Sequence, residues 1–139
     1  MSPQNRKKAI PKELGHARRA LASAGILLRD GDAGGAISRA YYCAFHAARA
    51  ALLTVGVQPR TNKGVNERFN MDLVAPGVIE TEYMSMLGRT QTQRELADYS
   101  VEVDFTTDQA KEEIELARRF LDRIERFLGD GGWLSASID

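Results

Sequence analysis

Hydrophobic residues recur at intervals of three and four along most of the chain, which is the spacing that places them on one face of an α-helix. The first such run extends from Leu14 to Leu28. It follows Pro11, a residue that suits the first turn of a helix, and it stops before Gly31. The pattern predicts an amphipathic first helix from about residue 11 to residue 30.

A second run, residues 36–55, divides into three stripes when it is placed on a helical wheel at ~100° per residue. One stripe is Ile37, Tyr41, Ala44, Ala48, Leu52 and Val55. The next stripe has only small side chains: Ala36, Ala40, Cys43, Ala47 and Ala50. These two stripes predict a helix that is buried on most of its surface. Gly56 and Pro59 mark its end, and the tight connection at residues 32–35 predicts an antiparallel hairpin with the first helix.

The third stripe of the second helix is polar. It carries Arg39, Tyr42, His46 and Arg49, at spacings of three, four and three. This polar column places two cations, an imidazole and a phenol in one line. Such a face can simply meet solvent, but an aromatic residue and arginines in place of Lys and Glu make a dimer contact or a ligand groove an equally good interpretation. The column is the best candidate in the chain for chemistry.

Two helices are predicted in the middle of the chain. Residues 62–74 have helical spacing until Ala75-Pro76-Gly77 interrupts it, and residues 79–99 have a weaker pattern that predicts a bent helix. Near the end of the second of these, Arg94 and Asp98 lie one turn apart. They are interpreted either as an intrahelical ion pair or as a guanidinium held ready for a phosphate.

The segment 100–105 alternates apolar and polar residues, as a strand does. Because no second strand is predicted for it to pair with, an extended connector is the better interpretation. Thr106 and Gln109 have the spacing of a capping box, and they precede a last helix whose apolar stripe continues to Leu128. The chain is therefore predicted to be all-α.

Composition limits the function classes. A chain of 139 residues with 43% hydrophobic and 27% charged residues fits one soluble globular domain, predicted at residues 10–128 between flexible tails at 1–9 and 129–139. Trp133 offers the alternative that the second tail docks. Nineteen basic and nineteen acidic residues give no net charge, so any nucleic-acid contact requires a local patch. No signal peptide or membrane span is recognised, which predicts a cytoplasmic protein with no membrane partner.

The sequence lacks the residues that several kinds of functional site require. Cys43 is the only cysteine, so an intrachain disulfide is excluded and a buried, inert thiol is expected. His16 and His46 are the only histidines and belong to different helices, so no metal site is predicted. The glycines at 31–35 lack the strand and the lysine of a phosphate loop. No cofactor and no hydrolase triad are predicted.

The motifs together resemble a known family. The block Arg39-Ala-Tyr-Tyr-Cys-Ala-Phe-His46-Ala-Ala-Arg49 and the later block Arg94-x-x-Ala97-Asp98-Tyr99 resemble the HEPN domain family, with similarity from about residue 14 to residue 128. The resemblance implies an up-and-down bundle of four or five helices that forms a homodimer. It further implies a prokaryotic toxin-antitoxin or defence module, often with a small nucleotidyltransferase as partner.

The resemblance also implies a chemistry. Catalytic members resemble metal-independent endoribonucleases in which an Arg and a His, four to six residues apart, meet their counterparts in a dimer cleft. Arg94 matches that Arg, but Tyr99 stands where the His is expected. Arg94 would stabilise charge on the phosphate, and His46 or Tyr99 would move the proton.

Three hypotheses follow from these residues. In the first, Arg39, Tyr42, Arg49 and Asp98 bind RNA or a nucleotide in the dimer cleft, with or without cleavage. In the second, the chain is a non-catalytic dimeric interaction module that partners a small nucleotidyltransferase. In the third, it is a structural bundle without a ligand.

Overall fold

The structure, a computed structural model, describes residues 1–134. Five α-helices follow one another in this part of the chain: α1 Pro3–Arg29, α2 Ala33–Leu53, α3 Asn62–Phe69, α4 Thr81–Tyr99 and α5 Thr107–Asp130. Within the same residues there is no strand, and 100–106 is an irregular connector. The prediction of an all-α helical bundle is confirmed. None of the described helices is long and apolar enough to cross a membrane.

Helix α2 is the centre of the bundle and contacts α1, α3, α4 and α5. All the alanines of its small-residue stripe and Cys43 are fully buried, which lets the neighbouring helices approach closely. The apolar stripe is buried from Ile37 to Leu52. Val55 is an exception, since the helix ends at Leu53 and Val55 is 47% exposed. Gly56, with φ +76°, turns the chain away at this point.

The first two helices form the predicted hairpin. Gly31 takes φ +83° in the connection, a value that suits glycine. Asp32 then caps α2 by accepting a hydrogen bond of 2.9 Å from the backbone N–H of Gly35. The short turn fixes α1 against α2 and brings the polar faces of the two helices side by side.

Helix α1 begins at Pro3 and not near Pro11, which differs from the flexible tail predicted for residues 1–9. Ser2 caps the helix by accepting from the backbone N–H of Asn5 at 3.1 Å. Pro11 therefore lies inside the helix, where it removes one backbone hydrogen bond. The side chain of Ile10, fully buried in the core, holds this part of the helix in place.

The first turn of α1 is held in place by contacts with residues that are distant in the sequence. Arg6 Nη1 donates a hydrogen bond of 2.9 Å to the carbonyl oxygen of Thr54, beyond the end of α2. The same guanidinium lies 5.5 Å from the centre of the Trp133 ring. Trp133 is partly buried and packs against the core after α5. The remainder of the second predicted tail, residues 135–139, lies outside the described residues.

The predicted third helix has two parts. α3 continues into a turn of π-helix at Asn70–Val74, marked by the 2.7 Å hydrogen bond from Ala75 N–H to the Asn70 carbonyl. Phe69 and Leu73 from this segment are buried in the core. The segment supports α4, whose outer end carries Arg94, Asp98 and Tyr99.

Candidate functional site

The polar column of α2 lies between two other helices. The two members nearest the C-terminal end of α2, His46 and Arg49, face α1 and contact the carboxylate of Glu13. Tyr42 reaches α4, where it meets Arg94. Arg39 stands beside Tyr42, with its guanidinium carbon 5.7 Å from the centre of the phenol ring. The column therefore joins two clusters of polar side chains, one on each neighbouring helix.

The cluster on the α4 side is built around Arg94. Its Nη2 donates a hydrogen bond of 2.9 Å to the hydroxyl of Tyr42, and its Nε lies 3.0 Å from Asp98 Oδ2. Its guanidinium carbon is 5.5, 5.4 and 5.6 Å from the ring centres of Tyr41, Tyr42 and Tyr99. The aromatic rings and the carboxylate hold the guanidinium in one orientation. We call these five residues the arginine–tyrosine cluster.

Only 11% of the Arg94 side chain is exposed. Burial by itself lowers the pKa of Arg94, but its hydrogen bond to the Tyr42 hydroxyl and the charges of the neighbouring tyrosines and Asp98 outweigh it, so the pKa lies above its ordinary value. Asp98 also accepts a hydrogen bond of 3.3 Å from Ser38 Oγ, which ties the end of α4 to α2. The intrahelical Arg94–Asp98 pair is thus present, and it holds a permanently charged arginine beside α2.

Tyr99 has a different environment from the other two tyrosines. Tyr41 is completely buried and donates a hydrogen bond of 2.8 Å to Asn62 Oδ1, whereas 73% of Tyr99 is exposed. Burial raises the pKa of Tyr41 far above its ordinary value, so this hydroxyl keeps its proton. Of the three phenols around Arg94, the one at Tyr99 is open to a ligand or a partner.

The cluster on the α1 side was not predicted. Glu13 Oε2 lies 3.1 Å from His46 Nδ1 and 3.6 Å from Arg49 Nε, and only 16% of its side chain is exposed. Burial raises the pKa of Glu13, but the hydrogen bond with His46 and the charge of Arg49 outweigh it and lower the pKa below its ordinary value. Glu13 is therefore a carboxylate that orients His46 and neutralises Arg49.

The sequence contained a signal for this cluster. Glu13, His16, Arg19 and Ser23 follow one another at spacings of three, three and four, which is a polar column on α1 like the one on α2. Taken alone it is indistinguishable from a solvated helix face. Its meaning depends on α2, which places the two histidine rings 5.1 Å apart.

A groove runs between the two polar columns. It has a volume of about 370 Å³, and it is lined by His16, Arg19, Ala20, Ser23, Arg39, Tyr42 and His46. Arg39, Tyr42 and His46 are thus brought together, as a shared site requires, and Arg94 is joined to them through Tyr42. Arg49 and Tyr99 do not line the groove, since Arg49 contacts Glu13 and Tyr99 contacts Arg94.

The groups present suit anion chemistry. Arginine, histidine and tyrosine donate hydrogen bonds to phosphate oxygens, and histidine also transfers protons near neutral pH. Among residues 1–134, no three His, Cys, Asp or Glu side chains are gathered as metal ligands would be. Cys43 is fully buried, and burial raises the pKa of its thiol to about 12, so this thiol is not part of the site.

Known proteins resemble this chain over most of its length. The model of the HEPN domain family matches residues 12–127. A UPF0332 protein of Pyrococcus horikoshii is 37% identical over 92 residues, which are 66% of this chain and 65% of that protein, just under two thirds of the relative's length. A protein of Methanocaldococcus jannaschii named "Putative toxin" is 35% identical over 78% of this chain and 80% of its own. A UPF0332 protein of Thermotoga maritima is 32% identical over 82% of this chain and 86% of its own.

Proposed function

We propose that this chain, which belongs to the HEPN domain family, is the RNA-binding protein of a toxin-type module and acts as a homodimer. One observation carries the proposal. The ring of Tyr42 lines the α1–α2 groove with Arg39 and His46, while its hydroxyl accepts a hydrogen bond from Arg94. A flexible phosphate backbone can contact both places at once.

The same arrangement supports a metal-independent cleavage step. His46 Nδ1 is engaged by Glu13, which leaves Nε2 to take the proton from a ribose 2′-hydroxyl. The hydroxyl oxygen then forms a bond to the adjacent phosphorus, and the bond to the 5′-oxygen of the next nucleotide breaks. The products are a 2′,3′-cyclic phosphate and a 5′-hydroxyl, which receives a proton from Tyr99 or from water. Arg94 stabilises the negative charge on the phosphate.

Support for the homodimer comes from the end of α4. Four large apolar or aromatic side chains in and after this end are exposed: Leu96 (38%), Tyr99 (73%), Val101 (99%) and Val103 (38%). Exposed apolar residues gathered in one short segment are typical of an interaction surface. The segment adjoins Arg94 and Asp98, so a second copy placed on it would bring two arginine–tyrosine clusters to one cleft.

A second function is favoured by Tyr99 itself. An imidazole exchanges protons near neutral pH far more readily than a phenol does, and the position where cleaving members have His is Tyr99 here. The chain would then bind without cleaving, as a dimeric interaction module that partners a small nucleotidyltransferase.

Incubation with mixed RNA and excess chelator separates the two functions. We expect RNA cleavage to 2′,3′-cyclic ends, reduced about 100-fold or more in Arg94→Ala because the charge-stabilising group is lost. Arg29→Ala removes an exposed arginine at the end of α1 and is the matched control. If the protein binds RNA but gives no cleavage product, the result supports the non-catalytic interaction module. Cleavage that persists in folded Arg94→Ala, as judged by circular dichroism, contradicts the role of Arg94.

A further inference from the structure

We propose that the groove between α1 and α2 is a subsite for one phosphate group of single-stranded RNA, and that α1 supplies half of it through His16 and Arg19. This inference rests on the proposed function, since the ligand is the same RNA. It adds two residues and one helix to the site. Neither His16 nor Arg19 belongs to the motifs that link this chain to its family.

The charge of the groove is the first argument. The whole chain has nineteen basic and nineteen acidic residues and no net charge. The seven residues that line the groove include two arginines and two histidines but no carboxylate. The groove is therefore a concave place with local positive charge on a neutral protein, and such a place attracts an anion.

The state of the arginines is the second argument. Several arginines of this protein contact a carboxylate, for example Arg123 with Glu80 at 2.7 Å and Arg49 with Glu13 at 3.6 Å. Within residues 1–134, Arg19 and Arg39 contact none, and both are exposed. An arginine without a carboxylate partner keeps its planar set of donors available for phosphate oxygens.

The histidine rings are the third argument. Arg19 Nη2 lies 3.2 Å from His16 Nδ1, and since arginine only donates, His16 accepts at Nδ1 and carries its proton on Nε2. His46 Nδ1 meets the Glu13 carboxylate and so carries a proton. The two rings are 5.1 Å apart, so a phosphate group that accepts a hydrogen bond from His16 Nε2 also lies close to the His46 ring.

Size and coverage define what is recognised. A groove of about 370 Å³ is at the small end of ligand pockets and accommodates about one nucleotide. The guanidinium of Arg39 lies over the Tyr42 ring at 5.7 Å, so this ring is covered and does not offer a free face on which a base can stack. The groove therefore reads charge and not base identity, and oligouridine and oligoadenosine of equal length should bind equally well at this subsite.

The test measures binding by fluorescence anisotropy with the full chain and chelator. The probes are ten-nucleotide oligouridines labelled at the 3′ end, with a 5′-hydroxyl or a 5′-monophosphate, and they carry 2′-O-methyl groups so that the proposed cleavage cannot occur. Arg19→Ala and Arg39→Ala should each weaken binding about ten-fold and reduce the slope of log affinity against log salt by ~0.7, the value for one phosphate contact on a single strand. Arg60→Ala, an exposed arginine outside the groove, should change neither quantity.

The two probes identify the source of the phosphate. If the 5′-monophosphate raises the affinity of the wild type five-fold or more and Arg19→Ala loses this gain, the subsite binds a terminal phosphate. If Arg19→Ala lowers the affinity for both probes equally, the subsite binds an internal phosphodiester. Melting temperatures within about 2 °C of the wild type are expected, because Arg19 and Arg39 are exposed.

The outcomes separate this inference from the proposed function. If the oligouridines bind equally to wild type, Arg19→Ala and Arg39→Ala, the subsite is wrong and RNA binding stands. Titration with adenosine monophosphate completes the test. Binding of this nucleotide without binding of the oligouridines would overturn both proposals, because the groove would then take a free nucleotide and not RNA. If the wild type binds neither RNA nor the nucleotide, both proposals are overturned.

Discussion

At the scale of single residues, the site depends on side chains that hold other side chains. Glu13 fixes one nitrogen of His46 and neutralises Arg49. Tyr42 holds Arg94 with its hydroxyl and lines the groove with its ring. Both act through groups from other helices, so their roles follow from position and not from residue type alone.

Replacing Glu13 by Gln should destabilise the fold by about 1–2 kcal/mol at pH 7, because a partly buried charged hydrogen bond is lost. The folded-state pKa of Glu13 is lowered below its ordinary value of 4.5. The stabilisation is therefore present above pH 4.5 and disappears as the pH falls through the folded-state pKa. Urea denaturation of wild type and Glu13→Gln at pH 7 and pH 3 measures both effects.

The control for this experiment is Glu67→Gln. Glu67 is 58% exposed and lies 3.8 Å from Lys63 on the same helix, so its loss should change stability by less than about 0.5 kcal/mol. A difference between wild type and Glu13→Gln that has the same size at pH 3 and pH 7 would show that packing, and not charge, places Glu13.

At the scale of the helices, ends are decided by two kinds of signal. The start of α5 is local, since Thr106 and Gln109 cap each other's backbone N–H groups as the sequence predicted. The start of α1 is not local, since its first turn is held by Thr54 and Trp133 from distant parts of the chain. The sequence pattern consequently located the first boundary and missed the second.

Thr106→Ala should reduce the free energy of unfolding by about 1 kcal/mol, the usual effect of losing an N-cap. Thr106 Oγ1 accepts from Gln109 N–H at 3.1 Å, and Gln109 Oε1 accepts from Thr106 N–H at 2.8 Å. Chemical denaturation of this variant beside Thr107→Ala, which removes the neighbouring exposed hydroxyl, measures the effect. Equal stability of the two variants would mean that the cap is not important for α5.

At the scale of the whole molecule, α2 is the element on which the others assemble. Its alanines are buried against four helices, and this central position brings α1 to one side of its polar column and α4 to the other. The exposed apolar segment after α4 then lies at the edge of the site. The bundle and the proposed dimer therefore share one organising element.

The proposed dimer predicts the effect of Val101→Asp. Val101 is 99% exposed, so the substitution removes no contact within the bundle, but it places a charge in an apolar interface. Sedimentation equilibrium should give a dimer for the wild type and a monomer for Val101→Asp, and the helical circular dichroism spectrum of the monomer should be unchanged. Val55→Asp, at an exposed residue after α2, should remain dimeric. A monomeric wild type, or a dimeric Val101→Asp, would contradict this interface.

The sequence by itself determined the helical segments, the cap at Thr106 and the buried stripes of α2. These features depend on residues at most four positions apart, so they are visible in a linear pattern. Only the tertiary structure decided which polar faces meet. His46 contacts Glu13, which is 33 residues away in the sequence, and Tyr42 contacts Arg94, which is 52 residues away. The spacing of polar residues along a helix shows that one face is polar. The packing of helices against each other determines whether that face contacts water or a charged side chain of another helix.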